Sequence, residues 1–283
     1  MSFYEDTIEK LVSSGIVDRS ATILTVGAGR TDRDAFLKND FIDVTITNLE
    51  YDRGVSNYEP YRWEFQDIED LSYGDQTFDW VFVHASLHHC ASPHRGLCEM
   101  LRVAKHGIGV FESKDSLLSR FSVALGLVPK FEIEPVVLSD GVRGGYRNSE
   151  IPNFVYRWTE REVIKTVNSF LPHCKHRFLF YYDYSIPLLR LSMSKSISKR
   201  LLAKIVSKAL PILRFLIPGQ GNQFAFVVSK EGDLHQWLKR NDGGKIVFDT
   251  EKAKKDFSPE KYPHRHESIV NCPGIRRSSR LRR

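Results

Sequence analysis

Apolar residues recur along the chain in two rhythms, short β-branched runs and longer segments with helical spacing. Phe3, Ile8, Leu11 and Val12 fall near one face of a helix predicted over residues 3–14. Ile23, Leu24 and Val26 open a strand that breaks at Gly27-Ala28-Gly29. A short helical segment follows from Asp32 to Leu37, and a second β-branched run, Val44 to Leu49, stops on Glu50. Tyr61 to Phe65 makes a short third strand running into Gln66-Asp67. Phe78 to His84, FDWVFVH, is nearly all apolar, the pattern of a parallel strand covered on both faces. Ser92 and Pro93 mark the start of the next helix, Leu97, Met100, Leu101 and Ala104 form its apolar stripe, and Gly107 is placed to end it. Ile108 to Phe111 is a fifth strand that stops at Glu112.

Strands alternating with helices through short connections predict a parallel, doubly wound α/β sheet, with ligands beyond the carboxyl ends of its strands. The alternation lapses from Ser113. A helical piece, Leu117 to Leu127, leads into the glycine-broken segment DGVRGGYRNSEIPN, and residues 113–158 read as a lid inserted over the ligand mouth. Thr159 and Glu162 form a capping-box pattern for a helix through Phe170. His176 to Tyr184 reads as a strand, and Gln223 to Val228 as a last strand antiparallel to its neighbour. Between them, residues 190–218 form an insertion whose helix, Ile197 to Leu210, sets Ile197, Leu201, Leu202, Ile205, Val206, Ala209 and Leu210 opposite Lys199, Arg200, Lys204 and Lys208. Residues 231–283 read as a polar, basic tail with a little helix from Leu234 to Lys239.

Composition narrows the class. The chain has 283 residues, 41% hydrophobic and 27% charged, which suits an ordinary globular protein. The acidic, amphipathic start MSFYEDTIEK lacks the basic head and apolar centre of a signal peptide, and no apolar run reaches membrane-spanning length. Cys90, Cys98, Cys174 and Cys272 show no disulfide framework, so a reducing, cytoplasmic location is expected. The net charge of +6 is concentrated between Tyr184 and Lys230, which holds eight Lys or Arg and no acid, and in the closing RRSSRLRR. The amphipathic helix of the first zone reads most simply as an insertion lying on the domain, with peripheral contact with an anionic membrane through residues 195–217 as the alternative. No aromatic-basic interleaving points to nucleic acid, and oligomeric state has no signature.

The chemistry starts at the glycine turn. Two glycines just past a strand let the backbone turn tightly and approach a ligand, and a carboxylate at the tip of the next strand can accept both hydroxyl protons of a ribose. These features suit an adenosine-containing cofactor. The ordered set VGAGRTD, VTITNLE, QDIEDL, FDWVFVHASLHHC and LRVAKHGIGVFE resembles a class I S-adenosylmethionine-dependent methyltransferase of the type 11 group. The resemblance covers Ile23 to Glu112 by motif and extends to about Lys230 through the terminal strands.

It implies a Rossmann-like, mostly parallel seven-stranded sheet with a last antiparallel strand, over residues 1–230. It implies S-adenosyl-L-methionine as cofactor and a small-molecule or glycan acceptor. Gly27, Ala28 and Gly29 would pass close to the methionine part, Glu50 would hold the ribose, Asp67 and Ile68 would meet the adenine, and His84 would line the methyl donor. His88 and His89 are candidate general bases for a hydroxyl acceptor. Thr25 and Thr31 stand where the family commonly has an acid and a third glycine, so Asp32 or Asp34 would have to supply the charge facing the methionine amino group. His88, His89, Cys90, His94 and Cys98 match no closed zinc spacing, and no metal is expected. Arg143, Tyr146, Arg147, Tyr156, Arg157 and Trp158 offer cations and flat rings for the acceptor. The competing readings are a nicotinamide-dependent oxidoreductase, which would share Gly27, Gly29 and Glu50, and a non-catalytic module that binds an anionic partner.

Overall fold

The computed structural model describes residues 2–50, 57–185, 193, 196–230 and 232–256. The arginine-rich RRSSRLRR end lies outside them. The chain divides into two units, Met1–Pro172 with His176–Gly232, and His173–Lys175 with the residues from Asp233 onward.

The first unit is built on a seven-stranded sheet. Its strands are β1 (Ile23–Val26), β2 (Val44–Asn48), β3 (Arg62–Phe65), β4 (Phe78–His84), β5 (Ala104–Ser113), β8 (Arg177–Asp183) and β9 (Gln223–Ser229); two short strands of the insertion, β6 and β7, come between β5 and β8. The order across the sheet is β3-β2-β1-β4-β5-β9-β8. The first five strands pair in parallel, and β9 runs antiparallel to both of its neighbours. This is the doubly wound sheet with one antiparallel strand that the hydrophobic pattern predicts. The strand order reverses at β1 and β4, so a crevice opens beyond their carboxyl ends.

Each face of the sheet carries its own core. Helices α1 (Phe3–Ser13) and α2 (Arg30–Lys38) cover one, where Leu11, Ile23, Phe36, Ile46, Phe82 and Val227 are buried together. Helices α3 (Pro93–Val103) and α6 (Glu160–Phe170) cover the other with Leu24, Val83, Leu97, Leu101, Val163 and Phe226. Local chemistry sets the helix starts. Ser2 and Glu5 form a reciprocal capping box on α1, and Ser92 with Pro93 starts α3. Thr159 Oγ1 accepts from Glu162 N to cap α6, but the Glu162 carboxylate turns away to His94 Nε2 at 3.0 Å and to the Tyr156 hydroxyl, so the box is only half made.

Other boundaries differ from the sequence pattern. Helix α3 ends at Val103, and Ala104 already belongs to β5. Gly107 therefore lies inside a strand, and it is needed there because a Cβ would sit 2.6 Å from the Trp80 ring and closer still to the Val228 carbonyl. The basic helix α7 (Ile197–Leu216) runs six residues beyond Leu210, through Pro211.

The insertion after β5 is structured. Helix α4 (Leu117–Ala124) is followed by β6 (Phe131–Glu132), α5 (Glu134–Leu138) and β7 (Asn153–Phe154), with β6 and β7 paired antiparallel. Trp158, grouped by sequence with this surface, is instead fully buried against Phe226 in the core.

In the second unit, the helix expected from Leu234 to Lys239 does not form. Strand β10 (Leu238–Arg240) pairs antiparallel with β11 (Ile246–Phe248) ahead of α8 (Thr250–Asp256). The intervening Asn241-Asp242-Gly243-Gly244 closes the hairpin, with Gly244 at φ +75°.

Candidate active site

Beyond the ends of β1, β2 and β4 lies a cavity of about 220 Å³, bordered by Gly27, Glu50, Asp67, Ile68, Ser86 and His89. The turn after β1 forms its floor. Gly27 adopts φ +58°, and a Cβ there would lie 2.6 Å from Ser86 Cβ and 2.9 Å from Ile68 Cδ1. Only glycine fits this conformation in this space. Ser86 Oγ donates to the Gly27 carbonyl at 2.6 Å, tying the loop after β4 to the turn. Gly29 leaves open space where a side chain would stand.

Ala28 and Gly29 are committed to the turn itself. Ala28 N donates to Thr47 O, and Gly29 N donates to Asp32 Oδ2 at 2.8 Å. Asp32 is buried beside the Tyr4 hydroxyl, which interacts with its carboxyl and with Thr25. Burial, opposed by His84 with Nδ1 at 3.9 Å, raises the Asp32 carboxyl above its ordinary range. His84 stacks on Tyr4 with ring centroids 4.3 Å apart and borders a second cavity, of about 300 Å³, together with His88, Phe111 and Glu112.

The insertion closes one side of the first cavity. Arg147 Nη2 donates to Asp67 Oδ2 at 2.9 Å, while Asp67 Oδ1 accepts from Glu69 N. Asn148 Nδ2 donates to the Leu49 carbonyl at 3.2 Å.

Two buried glutamates hold the loop that carries the histidines. Glu69 accepts from Ala91 N and Ser92 N, both at 2.8 Å. Glu112, at the end of β5, accepts from Ser86 N and Leu87 N through Oε1, and from His88 Nδ1 at 2.6 Å through Oε2. His88 Nε2 meets Glu132 Oε2 at 3.1 Å. Burial alone would lower the His88 imidazole, but the two carboxylates outweigh it and push it up to about 10. His89 donates from Nδ1 to the Gly145 carbonyl at 3.2 Å, and its Nε2 lies 3.4 Å from Glu132 Oε2. Burial and the neighbouring His88 charge lower its imidazole.

Gly27, Glu50, Asp67, Ile68 and His89, separated by up to 62 positions in sequence, thus line one cavity, and His84 and His88 line the next. Cys98 and His94 do not join the histidine pair. His94 pairs with Glu162 instead, and burial raises the Cys90 thiol well above its ordinary value. Glu112, Glu69 and Glu132 were not singled out by motif. The first is foreshadowed only by its place at the tip of β5, and Glu132 carries no local signal.

A family model described as a methyltransferase domain matches residues 24–111. The match spans the chain from β1 to β5. A search of curated proteins finds no match. Among solved structures, a SAM-dependent methyltransferase from Thermotoga maritima is similar at 14% identity and a TM-score of 0.46, over 79% of this chain and 89% of that one. One from Archaeoglobus fulgidus is similar at 13% identity and a TM-score of 0.45, over 80% and 94%. One from Methanosarcina mazei is similar at 12% identity and a TM-score of 0.46, over 78% and 98%.

The residues around the glycine turn suit S-adenosylmethionine, the adenosine-containing cofactor that the motif resemblance implies. The open face at Gly29 and the carboxylate at the end of β2 offer close backbone approach and a diol acceptor.

Proposed function

We propose that this chain is an S-adenosylmethionine-dependent methyltransferase that moves a methyl group to a small-molecule or glycan acceptor by in-line displacement, with the acceptor entering from the side of His88 and His89. The observation that carries the reading is the shared cavity of Gly27, Glu50, Asp67, Ile68 and His89. When bound, the cofactor supplies an electrophilic methyl group on a positively charged sulfur. Gly27 and Gly29 admit its methionine part, Glu50 accepts from the ribose hydroxyls, and Asp67 with Ile68 borders the adenine. Asp32 faces the methionine ammonium in place of the acid missing at Thr25. The insertion, through Arg147 and Asn148, acts as a lid that excludes water from the reacting centre.

Between the two histidines, His89 suits the role of base. Its Nδ1–H is committed to the Gly145 carbonyl, so Nε2 is the atom that takes the proton of a hydroxyl acceptor. His88, with both ring nitrogens on carboxylates, positions the loop.

Calorimetric titration with S-adenosylhomocysteine tests the cofactor assignment. Glu50→Ala weakens binding by about 1.5–3 kcal/mol, the loss of hydrogen bonds to a charged group. Unchanged affinity would remove Glu50 from the site.

We further assign α7 to peripheral contact with an anionic membrane surface, from the reducing, cytoplasmic side. Among the described residues no helix is long and apolar enough to cross a membrane. Helix α7 nevertheless leaves Ile197, Leu201, Ile205, Ile212 and Phe215 exposed, with Arg200, Lys204 and Lys208 beside them. Such a surface favours a layer that is apolar inside and negatively charged outside. Sedimentation with phosphatidylglycerol vesicles should capture the chain in a salt-sensitive way, and Ile205→Glu with Phe215→Glu should abolish capture. Equal capture by phosphatidylcholine vesicles, or by the double variant, would refute the contact.

A further inference from the structure

The loop after β4 and strand β6 of the insertion bring three donor atoms together: His88 Nε2, His89 Nε2 and Glu132 Oε2. All lie within 4.8 Å of one another, with the two nitrogens 3.1 and 3.4 Å from the carboxylate oxygen. Ligands held at zinc-type distances of roughly 2.0–2.2 Å in tetrahedral or octahedral arrangement stand about 2.9–3.4 Å apart, so these two spacings match the edges of a coordination polyhedron.

The surroundings match as well. A metal-ligating imidazole ordinarily donates its other N–H to a carboxylate or a backbone carbonyl, which fixes the tautomer and aims the free nitrogen at the ion. Both histidines here do so. His88 Nδ1 is held by Glu112 Oε2 at 2.6 Å, and His89 Nδ1 by the Gly145 carbonyl at 3.2 Å. Glu132 is steadied in turn by Asn153 Nδ2 at 3.4 Å, and the buried Asn153 also donates to the His88 carbonyl. Without an ion the two carboxylates hold a proton on His88; a divalent cation would displace it from Nε2, leaving two neutral imidazoles and the carboxylates of Glu112 and Glu132, whose charge the ion cancels.

We propose that His88, His89 and Glu132 form a binding site for a divalent cation of the zinc class, with Glu112 and the Gly145 carbonyl orienting the imidazoles. His89 borders the first cavity and His88 the second, so the coordination positions not taken by protein face the place assigned to the acceptor. The site selects acceptors that offer an oxygen ligand, such as a hydroxyl, whose proton coordination makes easier to remove. With the ion bound His89 would be a ligand and not the base; coordination would lower the acceptor hydroxyl's pKa so that its proton passes to solvent water before the methyl group is transferred. The site's role rests on the methyl-transfer reading; its existence does not.

The test uses the full chain, stripped with a chelator and dialysed. Zn²⁺ is titrated by calorimetry and Co²⁺ by its visible absorption, with S-adenosylhomocysteine binding measured in parallel. The expected result is one-to-one binding of both ions, with d–d bands of nitrogen and oxygen ligation. Affinity falls about 100-fold or more in Glu132→Gln and in His89→Ala, since even an outer partner of a ligand is worth about 10–100-fold. His94→Ala, which removes a histidine paired with a carboxylate elsewhere, should bind as the unaltered chain does. Folding of each variant is read from its circular dichroism. No binding by the folded wild-type chain, or equal affinity in both folded site variants, would overturn the proposal. Loss of metal with S-adenosylhomocysteine binding intact would support the metal site, and loss of cofactor binding with metal retained would strike only the cofactor reading.

Discussion

Replacing Glu112 by Ala lowers the stability of the folded chain by about 3–5 kcal/mol, the cost of stripping one partner from a buried charged network. The side chain of Glu112 is fully buried and serves three donors at once, the amides of Ser86 and Leu87 and the Nδ1–H of His88. Alanine leaves all three without an acceptor in a region closed to bulk water. The loop after β4, which carries both histidines and the serine tied to Gly27, loses its anchor to β5. Glu112→Gln keeps the volume and one carbonyl acceptor, so it should cost less, with the deficit concentrated on the His88 charge. Urea denaturation of both variants by circular dichroism checks this order. A wild-type midpoint for Glu112→Ala would show that the network does not support the fold.

Trp158→Ala should cost a similar amount, about 3–5 kcal/mol, through cavity formation. The indole is fully buried, with ring centroids 5.0 Å from His94, 5.2 Å from Tyr156 and 5.8 Å from Phe226. It joins α3, α6 and the inner face of β9, and none of these can follow the missing ring without leaving its own strand or helix contacts. Its backbone pairs with Ser113 and Asp115, so those bonds survive the substitution and the loss reports on packing. Trp158→Phe should cost clearly less. It retains most of the volume and removes an indole N–H that has no hydrogen-bond partner among the described residues. Equal losses in the two variants would refute lost packing volume as the cause. Guanidinium unfolding followed by circular dichroism separates the cases.

Both residues show where reading the chain reached its limit. Glu112 is visible in sequence as the acid that stops a strand, but nothing nearby says that its partners are amides and a histidine some 25 positions earlier. Trp158 stands in a polar, irregular stretch, where an aromatic residue reads as a surface for a ligand. It is buried because the chain crosses back over α3 before α6 begins. The hairpin at Asn241-Asp242-Gly243-Gly244 failed for a different reason. The apolar spacing of Leu234 to Lys239 is compatible with one helical turn, and the turn chemistry that follows decides for strands.

The succession of strands and helices, the glycine turn, the carboxylate closing β2 and the apolar strand β4 are local facts, set by side-chain periodicity and backbone sterics. From them the doubly wound sheet was legible, and the ordered motifs added the resemblance to a methyltransferase domain. Glu132 is the opposite case. It lies 43 positions from His89, in a two-residue strand with no pattern of its own, and it reaches the histidines only because β6 pairs with β7 and the insertion folds back over the loop after β4. The same holds for Arg147 on Asp67 and for Glu69 on the amides of Ala91 and Ser92. Side-chain periodicity states which face of an element turns inward, and these contacts arise only when separate elements are packed against one another.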